Sequence, residues 1–251
     1  MVIGISQLVT DLIILVILIL LFFLSLKFGV FSKRGSIAAL IVGAIIGIGG
    51  NILWLILMII FAITSFAATR AFLGRKEVAR LQEGKHGERS TSNIIYAGII
   101  GVFLAVLNLF KAYWVFDYGD LFLLFAVSFS VINSDTFASE IGVIDKNVIM
   151  ITSFRKTDPG VNGGISLFGS LASLLGGLII AITFTFFYFG TFNVPVVVFV
   201  TLMGFLGSNI DSVLGGTLEN RGIISKGQVN LFSSIITVIL SAVFVYFYAL
   251  V

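Results

Sequence analysis

The sequence contains no cysteine, which excludes disulfides, thiolate metal sites and a cysteine nucleophile. Its single histidine, His86, cannot supply a multi-histidine metal centre. Charge is scarce as well: 11% of the 251 residues are charged, against about a quarter in a soluble globular domain. Apolar residues reach 59%, more than a water-soluble fold of this size can hide, so lipid must solvate much of the chain. Proline occurs twice and glycine 27 times, a balance that suits close-packed membrane helices, while 26 phenylalanines supply lipid-facing bulk. The net charge of +3 fits basic residues flanking membrane spans, and nucleic-acid binding is not expected. The first apolar run lacks a basic segment before it and a small-residue cleavage site after it, so no cleavable signal peptide is expected.

A membrane span needs about 20 mostly apolar residues. Eight stretches qualify: 8–30, 36–50, 52–70, 93–110, 119–141, 164–190, 193–214 and 229–250. The second and third form one apolar run, which Gly49-Gly50-Asn51 divides into a tight hairpin. The whole chain, residues 1–251, therefore reads as a single all-α polytopic helical bundle. With eight spans, the loops at 31–35, 71–92, 142–163 and 215–228 share one face, and 14 of the 15 Lys and Arg residues lie on or beside them. Basic residues favour the cytoplasmic side, so both termini are expected outside, in a plasma-membrane protein whose polar loops face the cytoplasm. Seven spans would destroy that asymmetry. Gly43 and Gly47 form a GxxxG pair, and Ser166, Ser170, Ser173 and Gly177 form a second ridge where helix backbones can approach. A homo-oligomer is compatible with the sequence.

Three carboxylates lie near the cytoplasmic ends of spans: Asp135 and Glu140 in one segment, Asp211 in another. Each costs about 2.5–3.5 kcal/mol at a span centre and less near its end. They either neutralise Arg155, Lys156 or Arg221, or hold a metal. Mg²⁺ prefers oxygen ligands, commonly one or two carboxylates completed by substrate phosphates. Both segments read Asn-x-Asp followed by a hydroxyl residue, Asn133/Asp135/Thr136 and Asn209/Asp211/Ser212. Residues 133 and 135 are about 200° apart on an ideal helix, whereas Asn133, Thr136 and Glu140 share a face. Either the helix unwinds there or Asn133 and Asp135 have separate jobs.

Two polar loops suit phosphate. Residues 85–93 read Lys-His-Gly-Glu-Arg-Ser-Thr-Ser-Asn, with two cations and three hydroxyls ahead of the fourth span. Residues 155–164 read Arg-Lys-Thr-Asp-Pro-Gly-Val-Asn-Gly-Gly ahead of the sixth, where a glycine-rich helix start can receive an anion. Neither matches a Walker or dinucleotide fingerprint. Gly215-Gly-Thr-Leu-Glu-Asn-Arg221 adds a small-residue turn just after Asp211.

Four motifs in order, Gly87-Glu-Arg-Ser-Thr-Ser-Asn93, Ser134-Asp-Thr-Phe-Ala-Ser-Glu-Ile-Gly142, Asn162-Gly-Gly-Ile-Ser166 and Asp211-Ser-Val-Leu-Gly-Gly-Thr217, resemble the integral membrane family containing transmembrane protein 19 and the plant phytyl-phosphate kinases. The resemblance implies CTP-dependent phosphorylation of an isoprenoid monophosphate to the diphosphate. It implies that Glu88, Arg89, Ser90 and Asn93 lie at the nucleotide or phosphate site, that Asp135, Glu140 and Asp211 hold Mg²⁺, and that Asn162, Gly163 and Gly164 surround phosphate. One departure stands out: the family carries a basic residue and a threonine before Asn-Gly-Gly, where this chain reads Asp158-Pro-Gly-Val161. Arg155 or Lys156 is the replacement cation. The expected function is a membrane-embedded, Mg²⁺-dependent prenyl-phosphate kinase. Asp135, Arg89 and Lys156 are its expected catalytic residues; Lys85, Glu88, Ser90, Thr91, Asn93, Arg155, Asn162, Gly163 and Gly164 bind nucleotide or phosphate. A transporter or flippase for a lipid phosphate or small anion is the alternative, and a phosphatidate-type cytidylyltransferase a third.

Overall fold

The computed structural model describes residues 7–79, 91–110 and 117–248. Nine α-helices are described: α1 Gln7–Phe28, α2 Lys33–Gly49, α3 Ile52–Arg70, α4 Leu73–Ala79, α5 Thr91–Leu109, α6 Tyr118–Gly142, α7 Leu167–Phe189, α8 Val194–Leu214 and α9 Lys226–Tyr248. Seven are at least 18 residues long and apolar enough to cross a membrane. At 17 residues, α2 stops one short of that length, yet its rise of about 25 Å still approaches the hydrocarbon thickness.

The expected break between α2 and α3 is present, and its chemistry is local. Asn51 caps α3 by accepting from the N–H groups of Leu53 and Trp54. The Asn108 side-chain amide donates to the Gly49 carbonyl at 2.9 Å, so a polar side chain of α5 fastens the turn. A Cβ at Gly49 would sit 2.7 Å from the Ala105 carbonyl oxygen, which is why the chain turns on glycine here. The Gly43/Gly47 pair receives Leu18 and Ile14 of α1, as its spacing predicts.

α6 is the hub. It packs against α3, α5, α7, α8 and α9, and 89% of its spanning window is buried. Residues 119–142 carry apolar or small side chains on every face, the pattern of a helix enclosed by others. Against α3 it presents an aromatic stack: Trp54 lies 5.3 Å from Phe122 and 4.5 Å from Phe125, and Phe61 lies 5.1 Å from Phe129. Each such pair contributes about 0.5–1.5 kcal/mol beyond its burial. Toward the C-terminal end of α6 the stack gives way to polar bonds. Thr64 and Ser65 donate to the Asn133 side-chain oxygen at 3.2 and 3.1 Å, and the Asn133 amide donates to the Gly176 carbonyl of α7 at 2.8 Å.

The connections differ from bare loops. α4 lies within the segment after α3, and α9 starts three residues earlier than its apolar run. Residues 143–166 fold into a small antiparallel sheet, β1 Val148–Met150, β2 Lys156–Thr157 and β3 Gly164–Ile165, in the order β2-β1-β3. α8 continues into a π-helical turn, Gly215–Glu219.

Candidate functional site

The C-terminal ends of α6 and α8 and the start of α7 enclose a cleft of about 840 Å³, counted to its open mouth. α6 contributes Asp135 and Ser139; α8 contributes Ser208, Asn209 and Asp211; the start of α7 contributes Ser170 and Ser173. Residues 160–165 cover it, and Glu219 and Lys226 complete the wall. Asp135, Glu219 and Lys226 line the same cleft as Asp211, so three carboxylates and one ammonium group share its wall. Asp211 is 5% exposed and accepts a hydrogen bond from Ser233 of α9 at 3.2 Å.

The two Asn-x-Asp units resolve the geometric conflict without unwinding. α6 is continuously helical through residues 133–135. Asn133 therefore faces α3 and α7 and bonds there, while Asp135 lines the cleft; the two residues have separate jobs. In α8 the π-turn follows at once, a feature common at functional sites because it re-aims the residues around it.

The glycine-rich turn reaches the cleft. Asn162, Gly163 and Gly164 all line it, and Gly163 adopts a left-handed φ of +84°. A Cβ there would lie 2.6 Å from the Gly216 Cα, so lid and π-turn touch backbone to backbone. The Asn220 amide donates to the Asn162 carbonyl at 3.0 Å, and the Ile151 N–H donates to the Gly163 carbonyl at 2.9 Å, fixing the turn from both sides. At the lid's base, the Asp145 carboxylate accepts from the Asn147 N–H at 2.9 Å. That bond, with others from Phe168, Ser166 and Lys146, holds its pKa below the usual carboxylate value.

Other expected residues lie elsewhere. Arg155 and Lys156 are exposed and do not line the cleft. The register pairs Ile149 with Lys156 and puts β2 on the sheet edge opposite β3; β3 and Val148 of β1 meet the cleft, and β2 does not. Glu140, expected beside the two aspartates, is instead bonded to Lys76 of α4 at 2.6 Å, with both side chains buried. Among the described residues, no three Asp, Glu or His side chains converge on one point. Thr91 and Asn93 begin α5 and do not line the cleft, while Lys85, Glu88, Arg89 and Ser90 lie outside the described residues. Lys226, Glu219 and Asn209 are the additions. Lys226 counts in the sequence as a topology-setting charge, and only the early start of α9 places it in the wall.

The donor set suits a hard cation. Two carboxylates and neighbouring side-chain oxygens match the Mg²⁺ habit of taking few protein ligands and leaving positions for phosphate. The ammonium group and the α7 start, with its positive helix end, suit an anion.

Residues 16–238 match the family model of the integral membrane protein DUF92. An uncharacterized membrane protein of Methanocaldococcus jannaschii is 30% identical over 206 residues, 82% of each chain. An uncharacterized membrane protein of Synechocystis is 31% identical over 67% of this chain and 64% of its own. Protein VTE6, chloroplastic, of Arabidopsis thaliana is 28% identical over 195 residues, 76% of this chain and 57% of that protein. No solved structure matches. The family match spans nearly the whole bundle and both halves of the cleft, and the chain belongs to the DUF92 family of integral membrane proteins.

Proposed function

We propose that the protein is a Mg²⁺-dependent kinase that uses CTP to convert a prenyl monophosphate, such as geranylgeranyl or phytyl phosphate, to the diphosphate. The observation that carries this reading is the cleft itself: Asp135, Asp211 and Lys226 meet beneath a glycine-rich turn at the polar end of a membrane bundle. Carboxylates for a metal, a cation for phosphate and adjacent lipid are the parts a lipid-phosphate kinase needs. The chloroplast relative and the resemblance of the four motifs to those of plant phytyl-phosphate kinases support the substrate class. The choice of CTP rests on that resemblance.

In the reaction, an oxygen of the prenyl phosphate forms a bond to the terminal phosphorus of CTP. The bond from that phosphorus to its bridging oxygen breaks, and CDP leaves with the electron pair. The acceptor is already ionised, so no strong base is required, and catalysis is positioning plus charge stabilisation. Asp135 and Asp211 would hold Mg²⁺, whose contribution when bound is to offset phosphate charge. Lys226 supplies a fixed cation beside the transferred group, and residues 162–164 with the start of α7 position the phosphates. Arg89 is proposed to add a second cation, with Lys85, Glu88, Ser90, Thr91 and Asn93 at the nucleotide or acceptor phosphate. The site faces the cytoplasm of the cell membrane in this reading.

Nucleotide binding tests the assignment apart from turnover. Mg²⁺ with CTP should raise the thermal midpoint of the purified protein, and Lys226→Met and Asp211→Asn should each remove the shift. A shift that survives both substitutions would take the nucleotide out of this cleft.

A further inference from the structure

A second cavity, about 1250 Å³ counted to its open side, lies among α1, α2, α3 and α5. Its wall is hydrocarbon. Three serines reach it, but Ser25 and Ser36 bond each other at 2.8 Å and Ser65 bonds Asn133, so their hydroxyl groups are engaged. Lining residues run from Leu18 to Phe28 on α1 and from Met58 to Phe66 on α3. At 1.5 Å per residue these are depths of about 15 and 12 Å, roughly half the hydrocarbon core. The floor, at Leu18, Met58 and Phe129, therefore sits near mid-bilayer, and the cavity is one leaflet deep.

The mouth has the opposite character. Phe31 and Ile94 edge it, and beside them the Ser32 and Thr91 hydroxyl groups stand 3.5 Å apart. Exposed cations Lys27, Lys33 and Arg34 flank it in the adjoining turns of α1 and α2. An apolar slot closed at mid-bilayer and flanked by cations on the α1–α2 side of its rim complements one kind of molecule, a hydrocarbon chain with an anionic head.

This cavity does not open directly on the polar cleft. The bonds from Thr64 and Ser65 to Asn133, and from Lys76 to Glu140, close the seam between α3 and α6. The way round runs over the start of α5, where Ile94 borders the cavity and Tyr96 covers Gly227, the neighbour of the cleft's Lys226. We propose that this cavity holds the hydrocarbon chain of the prenyl phosphate, with the phosphate at the first turn of α5. Donor and acceptor then approach from opposite sides of the α6 end. The assignment of the occupant rests on the kinase reading above.

The test is photolabelling of the unaltered protein in lipid nanodiscs with geranylgeranyl phosphate bearing a diazirine near its tail end. The label should fall on the cavity floor, at peptides containing Leu18 or Met58. Excess geranylgeranyl phosphate should displace it, and excess phosphatidylglycerol should not. Labelling confined to α7, α8 or α9, or equal displacement by phosphatidylglycerol, would overturn the proposal. Ala62→Trp, which fills the slot, should raise KM for geranylgeranyl phosphate about tenfold while leaving a one-isoprene phosphate unchanged. Cavity labelling without phosphoryl transfer would keep the lipid site and remove the kinase; transfer with labels elsewhere would do the reverse.

Discussion

The Lys76 ammonium group sits 2.6 Å from the Glu140 carboxylate, and the same nitrogen donates to the carbonyls of Thr69 at 2.6 Å and Ala68 at 3.4 Å. One buried cation thus ties α4 to the C-terminal end of α3 and to α6, 64 residues further along the chain. Removing either partner leaves an uncompensated buried charge, which costs about 3–5 kcal/mol, whereas replacing both with apolar groups of similar volume is nearly neutral. Lys76→Met should therefore lower the thermal midpoint sharply, and Lys76→Met with Glu140→Met should recover most of it. Glu140→Gln should lose stability more than turnover. Lost turnover at an unchanged midpoint would make Glu140 a metal ligand.

Asp135 and Asp211 carry the opposite expectation. Asp135→Asn and Asp211→Asn keep volume and hydrogen-bonding capacity while removing charge, so the fold should survive. Turnover should fall about 10²–10³-fold, the scale for loss of one preorganised electrostatic group. Kinetics alongside a Mg²⁺ titration and a midpoint measurement check this. A stable variant with full activity would place the metal elsewhere.

Gly163 and Gly190 form a matched pair of left-handed residues, with φ of +84° and +68°. A Cβ at Gly190 meets nothing within 4 Å, while one at Gly163 meets the Gly216 backbone at 2.6 Å. Gly190→Ala should cost about 1–2 kcal/mol from conformation alone and leave turnover intact. Gly163→Ala should carry the same cost, push the turn away from the π-turn and cut kcat/KM more than tenfold, ~1.4 kcal/mol or more. Equal effects on turnover would show that lid contact is irrelevant to the chemistry.

Basic residues favour the cytoplasmic side, and 14 of the 15 lie on or beside one set of loops, so those loops are expected in the cytoplasm. The cysteine-free chain permits a clean test. Asp158→Cys, between β2 and β3, should react with an impermeant maleimide only from the cytoplasmic side, and Phe192→Cys, between α7 and α8, only from outside. Reaction of both from one side would contradict the assigned orientation.

The helices were legible because a run of about 20 apolar residues declares itself without tertiary information. The α2–α3 break was legible because Gly-Gly-Asn joins a backbone suited to turning with a helix-capping side chain. Meeting of Asp135 and Asp211 was foreshadowed by their shared spacing, and the 200° separation of Asn133 from Asp135 already implied two faces. Lys226 was hidden for a different reason. Its place in the cleft depends on where α9 begins and on Tyr96 packing over Gly227, neither of which periodicity encodes. The place of Arg155 and Lys156 off the cleft was not legible, because a sheet edge, set by pairing with Ile149, decides which end of that loop meets the helices. The Lys76–Glu140 bond joins distant segments whose charges each look like ordinary loop residues.

Product formation tests the central claim most directly. Purified protein in nanodiscs with Mg²⁺, CTP and geranylgeranyl phosphate should yield geranylgeranyl diphosphate and CDP in equal amounts, and Asp211→Asn should abolish both. Movement of prenyl phosphate across sealed vesicles with no nucleotide consumed and no diphosphate formed would contradict the account.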